Sequence, residues 1–263
     1  IFSILLLWIA LNFKLQALVF IPVIGLLLLP QILTKTGIKK ALVAFLIGII
    51  MQSIVLMPFI LKGNLHQVYF VITGSVGYYP YPTMCAFNLW SLLLPNTTIE
   101  GMYSLNDATK FGFFSYKQIG LLLFLMMTLI SIYPLVKTLL KKHINKESLQ
   151  FPLQNIFLIS ALVSLSFYFF NTQMHERYMH SAVILLAAYA FISKRFFPLI
   201  LCSLAYFLNI ERICWYLNLH NETYMNSFIF NPKLVASLYL ILIGMLFYLL
   251  YAKQDEATEM IEL

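Results

Sequence analysis

The sequence predicts an all-α protein, a polytopic transmembrane helix bundle of about eight spans with a long extracytoplasmic loop containing interfacial helices. Three observations carry that expectation. Of 263 residues, 61% are hydrophobic and 10% are charged, against roughly 25% charged in an average soluble domain. The apolar residues are gathered into runs of the length that a bilayer needs, roughly 20 residues in helical form, because hydrocarbon offers no partner to an unpaired backbone amide. The basic residues fall in short clusters between those runs, as orientation signals do. A water-soluble globule is excluded. The net charge of +7 is not gathered into the single basic face that a nucleic-acid partner would require.

In chain order, the first run, Ile1 to Leu11, is partial and is followed by Asn12, Phe13 and Lys14. A second run covers Leu15 to Leu33, where Pro22 predicts a kink. The third span is Ala41 to Leu61, the fourth Gln118 to Leu140 with Pro134 near its end, and the fifth Phe151 to Asn171. The sixth, Tyr178 to Ile192, has only about 15 residues, short for a bilayer unless it continues into the polar flank or meets thin lipid. Pro198 to Ile210 and Pro232 to Ala252 complete the set. Residues 1–252 are therefore expected to form one transmembrane domain and residues 253–263 a frayed cytoplasmic tail. A chain that opens inside an apolar run, without an initiator Met or a cleavage site, reads as the C-terminal part of a longer protein.

Placing the Lys-rich links in the cytoplasm puts Lys35, Lys39, Lys40, Lys137, Lys141, Lys142, Lys146, Lys194, Arg195 and Lys253 on that side. Polar and aromatic complexity then falls on the opposite face, in 12–14, 62–116, 172–177 and 211–231. Loops that meet on one face can roof a helix bundle with a pocket. Within 62–116, Leu65 to Ile72 reads as an interfacial helix. Cys85, Cys202 and Cys214 show neither a disulfide framework nor zinc spacing.

Three segments carry possible chemistry. Asn171 to His180 gathers His175, Glu176 and Arg177 at the end of two apolar spans, where ionised groups need pairing, water or a function. If a helix starts near His175, Glu176 and His180 lie four apart and can pair. The five-residue step from His175 to His180 departs from the HExxH zinc arrangement. The residues alone equally describe an interfacial cap, with Arg177 snorkelling to headgroups. Lys14 and Gln16 lie between two apolar runs; a cation there could hold a lipid phosphate or simply anchor a helix end. The third segment, Val76 to Pro82 with Ala86 to Trp90, is rich in Gly, Pro, Tyr and Trp, suited to stacking on sugar rings or to headgroup anchoring. Five acids are expected to face outward, namely Glu100, Asp107, Glu176, Glu211 and Glu222, with Asp107 solvated in a polar loop. Asn96 and Asn221 match the N-x-[ST] pattern.

Lys14-Leu15-Gln16-Ala17 leading to Pro22, Tyr79-Pro80-Tyr81 followed by Ala86-Phe87-Asn88-Leu89-Trp90, and Met174-His175-Glu176-Arg177-Tyr178 occur in the order seen in bacterial GT-C membrane glycosyltransferases. The set resembles the branch related to the eukaryotic glycosylphosphatidylinositol mannosyltransferases. His-Glu before a basic residue is also similar to the motif of the lipid-linked-oligosaccharide glucosyltransferases of the endoplasmic reticulum. The resemblance covers about Ile1 to Ala190. It implies transfer of a sugar, mannose by analogy, from an isoprenoid-phosphate donor to a glycan, lipid or protein acceptor on the outer side of a bacterial cytoplasmic membrane. It further implies Lys14, Gln16 and Arg177 at the donor phosphate, and His175 and Glu176 in support of a main base upstream. Tyr81, Asn88 and Trp90 would then belong to the loop over the substrate. No cofactor is specified, and a divalent metal is compatible. Such enzymes carry the activating acid in a first outer loop that this chain lacks, so the chain is expected to be inactive alone. The alternative is a transporter or flippase of lipid-linked or anionic substrates. That reading needs charges buried in mid-span, where the sequence offers Gln52, Ser53, Ser131 and Ser164.

Overall fold

Among the described residues of the computed structural model, six helical segments are long and apolar enough to cross a bilayer: 15–32, 35–61, 116–141, 153–170, 197–214 and 232–251. The polytopic all-α expectation holds, and the chain is that of an integral membrane protein. The first and sixth expected spans are shorter, at 12 and 14 residues. The structure describes residues 1–74, 77–94, 105–145, 150–217, 219, 228–252 and 260–262. They divide into a first unit, Ile1–Tyr79, and a second, Pro80–Glu262.

In the first unit, α1 (Phe2–Phe13) gives way at an extended Lys14 to a 3-10 helix over Leu15–Phe20. The kink expected at Pro22 is instead a change of helix type. A proline in the first turn of α2 (Ile21–Ile32) is harmless because its missing N–H has no helical acceptor there. α3 (Lys35–Leu61) starts six residues before the apolar run, because the Thr34 hydroxyl caps it by accepting from Gly37 N at 2.9 Å. Lys35, Lys39 and Lys40 are thus helical. α1 approaches α3 at Gly48, where an added Cβ would lie 2.8 Å from the Trp8 ring. The Trp8 indole N–H donates to Gln52 Oε1 at 3.2 Å, giving a mid-span amide its partner. α4 (Leu65–Gly74) supplies the helix expected over 65–72.

The second unit runs through α5 (Leu89–Leu93), a hairpin of β1 (Lys110–Phe111) and β2 (Phe114–Ser115), and α6 (Tyr116–Asn145). It continues with β3 (Gln150–Pro152), α7 (Leu153–Phe170), a 3-10 turn (Glu176–Met179), α8 (His180–Ser193), α9 (Phe197–Cys214), α10 (Pro232–Tyr251) and β4 (Met260–Glu262). α7 is apolar on all faces and is therefore the central helix, packed against α6, α8 and α10. The Ser164 and Ser181 hydroxyls meet at 2.6 Å between α7 and α8. Pro134 leaves the Ile130 carbonyl of α6 without its helical donor, and the Tyr251 hydroxyl fills that place at 2.6 Å. The expected frayed tail is corrected at its end: residues 260–262 pair antiparallel with Gln150–Pro152.

Candidate functional site

Past the end of α7 the chain bends through Asn171–Gln173 and reaches His175 alongside the segment that follows Pro80. Gln173 N donates to Tyr81 O at 3.0 Å and Met84 N to Met174 O at 2.9 Å, with bridges joining His175 to Met84 and Cys85. Two motifs separated by about ninety positions are thus knitted backbone to backbone. Each segment carries one non-glycine residue in the left-handed region, Cys85 at φ 64° and Gln173 at φ 63°. Such residues cost of order 1–3 kcal/mol each and persist where their surroundings hold them.

Side chains supply that hold. Asn209 of α9 is fully buried and reads both sides of the loop backbone: Nδ2 donates to Cys85 O at 2.9 Å and Oδ1 accepts from Phe87 N at 3.1 Å. The Tyr168 hydroxyl donates to the same Oδ1 at 2.6 Å. Asn88 caps α5 by accepting from Trp90 N, while its Nδ2 donates to Asn171 O at 3.3 Å. The Trp90 indole N–H donates to Phe170 O at 3.1 Å. Asn88 and Trp90 are buried, so these two sequence-chosen residues bind the loop to the end of α7. Tyr81 is half-buried beside them.

Asp107 was expected in solvent and is instead 2% exposed. Its Oδ2 accepts from Thr172 Oγ1 and from Gln173 Nε2, both at 2.8 Å, and its N–H donates to Pro80 O at 2.9 Å. An acid beside Asn106 resembles a turn residue only while its partners, 65 and 66 positions away, are out of sight. Glu211 is also held by the protein. It is buried and accepts from Leu217 N and Leu219 N beyond the end of α9. Glu100, Glu222, Asn96 and Asn221 lie outside the described residues.

His175, Glu176 and Arg177 stand on this platform. The extended backbone at His175, held in the bridge, delays the helix, so a 3-10 turn covers Glu176–Met179 and α8 begins at His180. The expected pairing of Glu176 with His180 is therefore not made. Glu176 pairs with Arg177 at 3.8 Å and with His175 at 4.0 Å, while His180 lies against the Tyr206 ring at 6.3 Å. His175 and Glu176 are recessed, at 15% and 13% exposure, whereas Arg177 is 61% exposed. An ion pair with so exposed a partner contributes about 0–1 kcal/mol. The Arg177 guanidinium, 5.9 Å from the centre of the Tyr178 ring, keeps donors open to solvent beside the recessed His175 and Glu176. Lys14 and Gln16 belong to the first unit, Lys14 exposed at the helix break and Gln16 half-buried in the 3-10 helix.

No protein family, curated protein or solved structure matches this chain. Its chemistry rests on the residues themselves. Among the described residues no group of three or more His, Cys, Asp or Glu is placed to hold a metal ion. Lys, Arg, Asp and Glu of the described spans lie toward the helix ends. Sequence reading passed over Asn209 and Tyr168, and it included Thr172 and Gln173 in the segment Asn171 to His180 without giving either a role. Asn209 had a visible signal, a lone amide inside an apolar run, whereas Tyr168 had none.

Proposed function

We propose that the protein is a membrane glycosyltransferase of the GT-C type. In this reading it moves a sugar, mannose by analogy, from an isoprenoid-phosphate donor to an acceptor hydroxyl at the loop-rich end of the second unit. One observation carries the proposal: the segments 80–90 and 171–179, which bear two of the three resembling motifs, are hydrogen-bonded to each other and present Arg177 above the recessed pair His175 and Glu176. The chemistry needs such a place. As the acceptor oxygen bonds to the anomeric carbon, the bond to the donor phosphate breaks and its electron pair leaves with the phosphate. Arg177 meets that charge with a planar array of donors. Glu176 and His175 hold the sugar hydroxyls and assist the base that takes the acceptor proton.

The test uses the full-length protein in liposomes with a purified polyprenyl-phosphate sugar donor. Arg177→Ala is expected to slow transfer by about a hundredfold, the usual effect of losing one donor to a developing oxyanion. Glu176→Gln lowers turnover while membrane insertion is unchanged. Wild-type turnover in both variants rejects the assignment.

A further inference from the structure

The hairpin that precedes α6 has no role in the site described above, and its surface is unusual. Phe111, Phe113 and Phe114 are 69%, 95% and 50% exposed. Phe111 pairs with Phe114, so Gly112 and Phe113 form a two-residue turn, and Gly112 takes the positive φ of 67° that its first position requires. The tip therefore presents aromatic rings outward by construction. Lys110 and Lys117 flank it, and the stretch Lys110 to Lys117 contains no acid.

The position of the tip follows from α6. Between Lys117 and Lys137 lie about 19 residues, close to 28 Å of helix at 1.5 Å per residue, which matches a hydrocarbon core of about 30 Å. Lys117 thus marks the boundary of the core, and the hairpin ends directly on Tyr116, the first residue of α6. We propose that this hairpin is a membrane-dipping wedge that seats its phenylalanine tip in the interfacial zone of an anionic bilayer beside α6. Phenylalanine rings bury about 5–10 Å into the boundary between headgroups and acyl chains, and the two lysines complement acidic headgroups. The seat also reaches the loop that carries Trp90. Phe111 stacks on Tyr116 at 6.3 Å, Tyr116 meets Trp90 edge-on at 5.4 Å, and Trp90 holds Phe170 O. The inference needs only the spanning character of α6, so it stands or falls separately from the glycosyltransferase reading.

The test labels Phe113→Cys with an environment-sensitive fluorophore in the full chain, with the exposed Cys214 replaced by Ser. The protein is reconstituted in phosphatidylcholine and phosphatidylglycerol vesicles at about 7:3, so that both leaflets carry the acidic headgroups the lysines require. The expected result is blue-shifted emission, quenched by a nitroxide near the top of the acyl chains and shielded from aqueous iodide. A label at the exposed Ala108 should stay water-like. Lys110→Gln should lower the inserted fraction by about fivefold in the acidic vesicles and hardly at all in phosphatidylcholine alone. A label at 113 that emits as in water and is open to iodide overturns the wedge. Shielding from both quenchers would mean a protein partner at the tip and overturns it as well. Insertion indifferent to Lys110→Gln overturns the anionic part.

Discussion

The clamp at Asp107 gives the sharpest test of how the loop-rich end is held. In Asp107→Ala, the Thr172 hydroxyl and the Gln173 side-chain amide lose a shared acceptor at 2.8 Å. Thr172 is buried, so its hydroxyl lies toward the upper end of the 1–3 kcal/mol cost of a stranded donor, and the bond from Gln173 adds little to it. A total of about 3 kcal/mol raises the local opening constant by roughly 150-fold. The readouts are the amides of Gln173 and Met84, whose bonds to Tyr81 O and Met174 O knit the two motif segments. Hydrogen–deuterium exchange of the reconstituted protein should show both amides accelerated by about two orders of magnitude. Amides in the buried middle of α10 serve as a control and should not change. Asp107→Asn keeps one acceptor oxygen and should stay within about fivefold of wild type. If Asp107→Ala leaves the exchange of Gln173 and Met84 within about threefold of wild type, the clamp does not hold the segments together.

Two further perturbations probe the same platform from other helices. A Cβ on Gly120 would lie 2.6 Å from Phe170 O and 3.2 Å from the Trp90 ring; since a backbone oxygen cannot yield, Gly120→Ala should cost about 1–3 kcal/mol, read as a lower thermal midpoint and faster exchange at Asn171. Asn209→Leu removes the acceptor of Phe87 N and of the Tyr168 hydroxyl and the donor to Cys85 O and should cost about 3 kcal/mol or more, whereas Asn209→Asp, taken up as the neutral acid at this fully buried position, keeps an acceptor for Phe87 N. Equal exchange at Phe87 in these two variants would contradict the assigned geometry.

Much of the fold was legible because hydropathy is a local and additive property. The runs at 15–33, 41–61, 118–140, 151–171, 198–210 and 232–252 all became helices, and the errors were confined to their ends, where caps such as Thr34 and bridges such as that at His175 decide. The site was legible in part. His175, Glu176 and Arg177 stood out because charge is expensive beside apolar spans, and they do cluster. Asp107 was misjudged because its solvation was inferred from sequence neighbours, which do not show the burial of Glu211 either. The donors that satisfy Asp107 come from 65 and 66 positions away, and those of Glu211 from a turn that no periodicity announces.

The sequence by itself determined that this chain lives in a bilayer, roughly where it crosses, and which short segment concentrates ionisable groups. Each follows from transfer free energies summed over neighbouring residues. Only the tertiary structure decided that Asn88 and Trp90 spend their hydrogen bonds on the backbone at the end of α7, and that Asn209 clamps a loop more than 120 positions away. A buried polar group must find a partner somewhere, but which one depends on how the helices pack, and no local pattern records that.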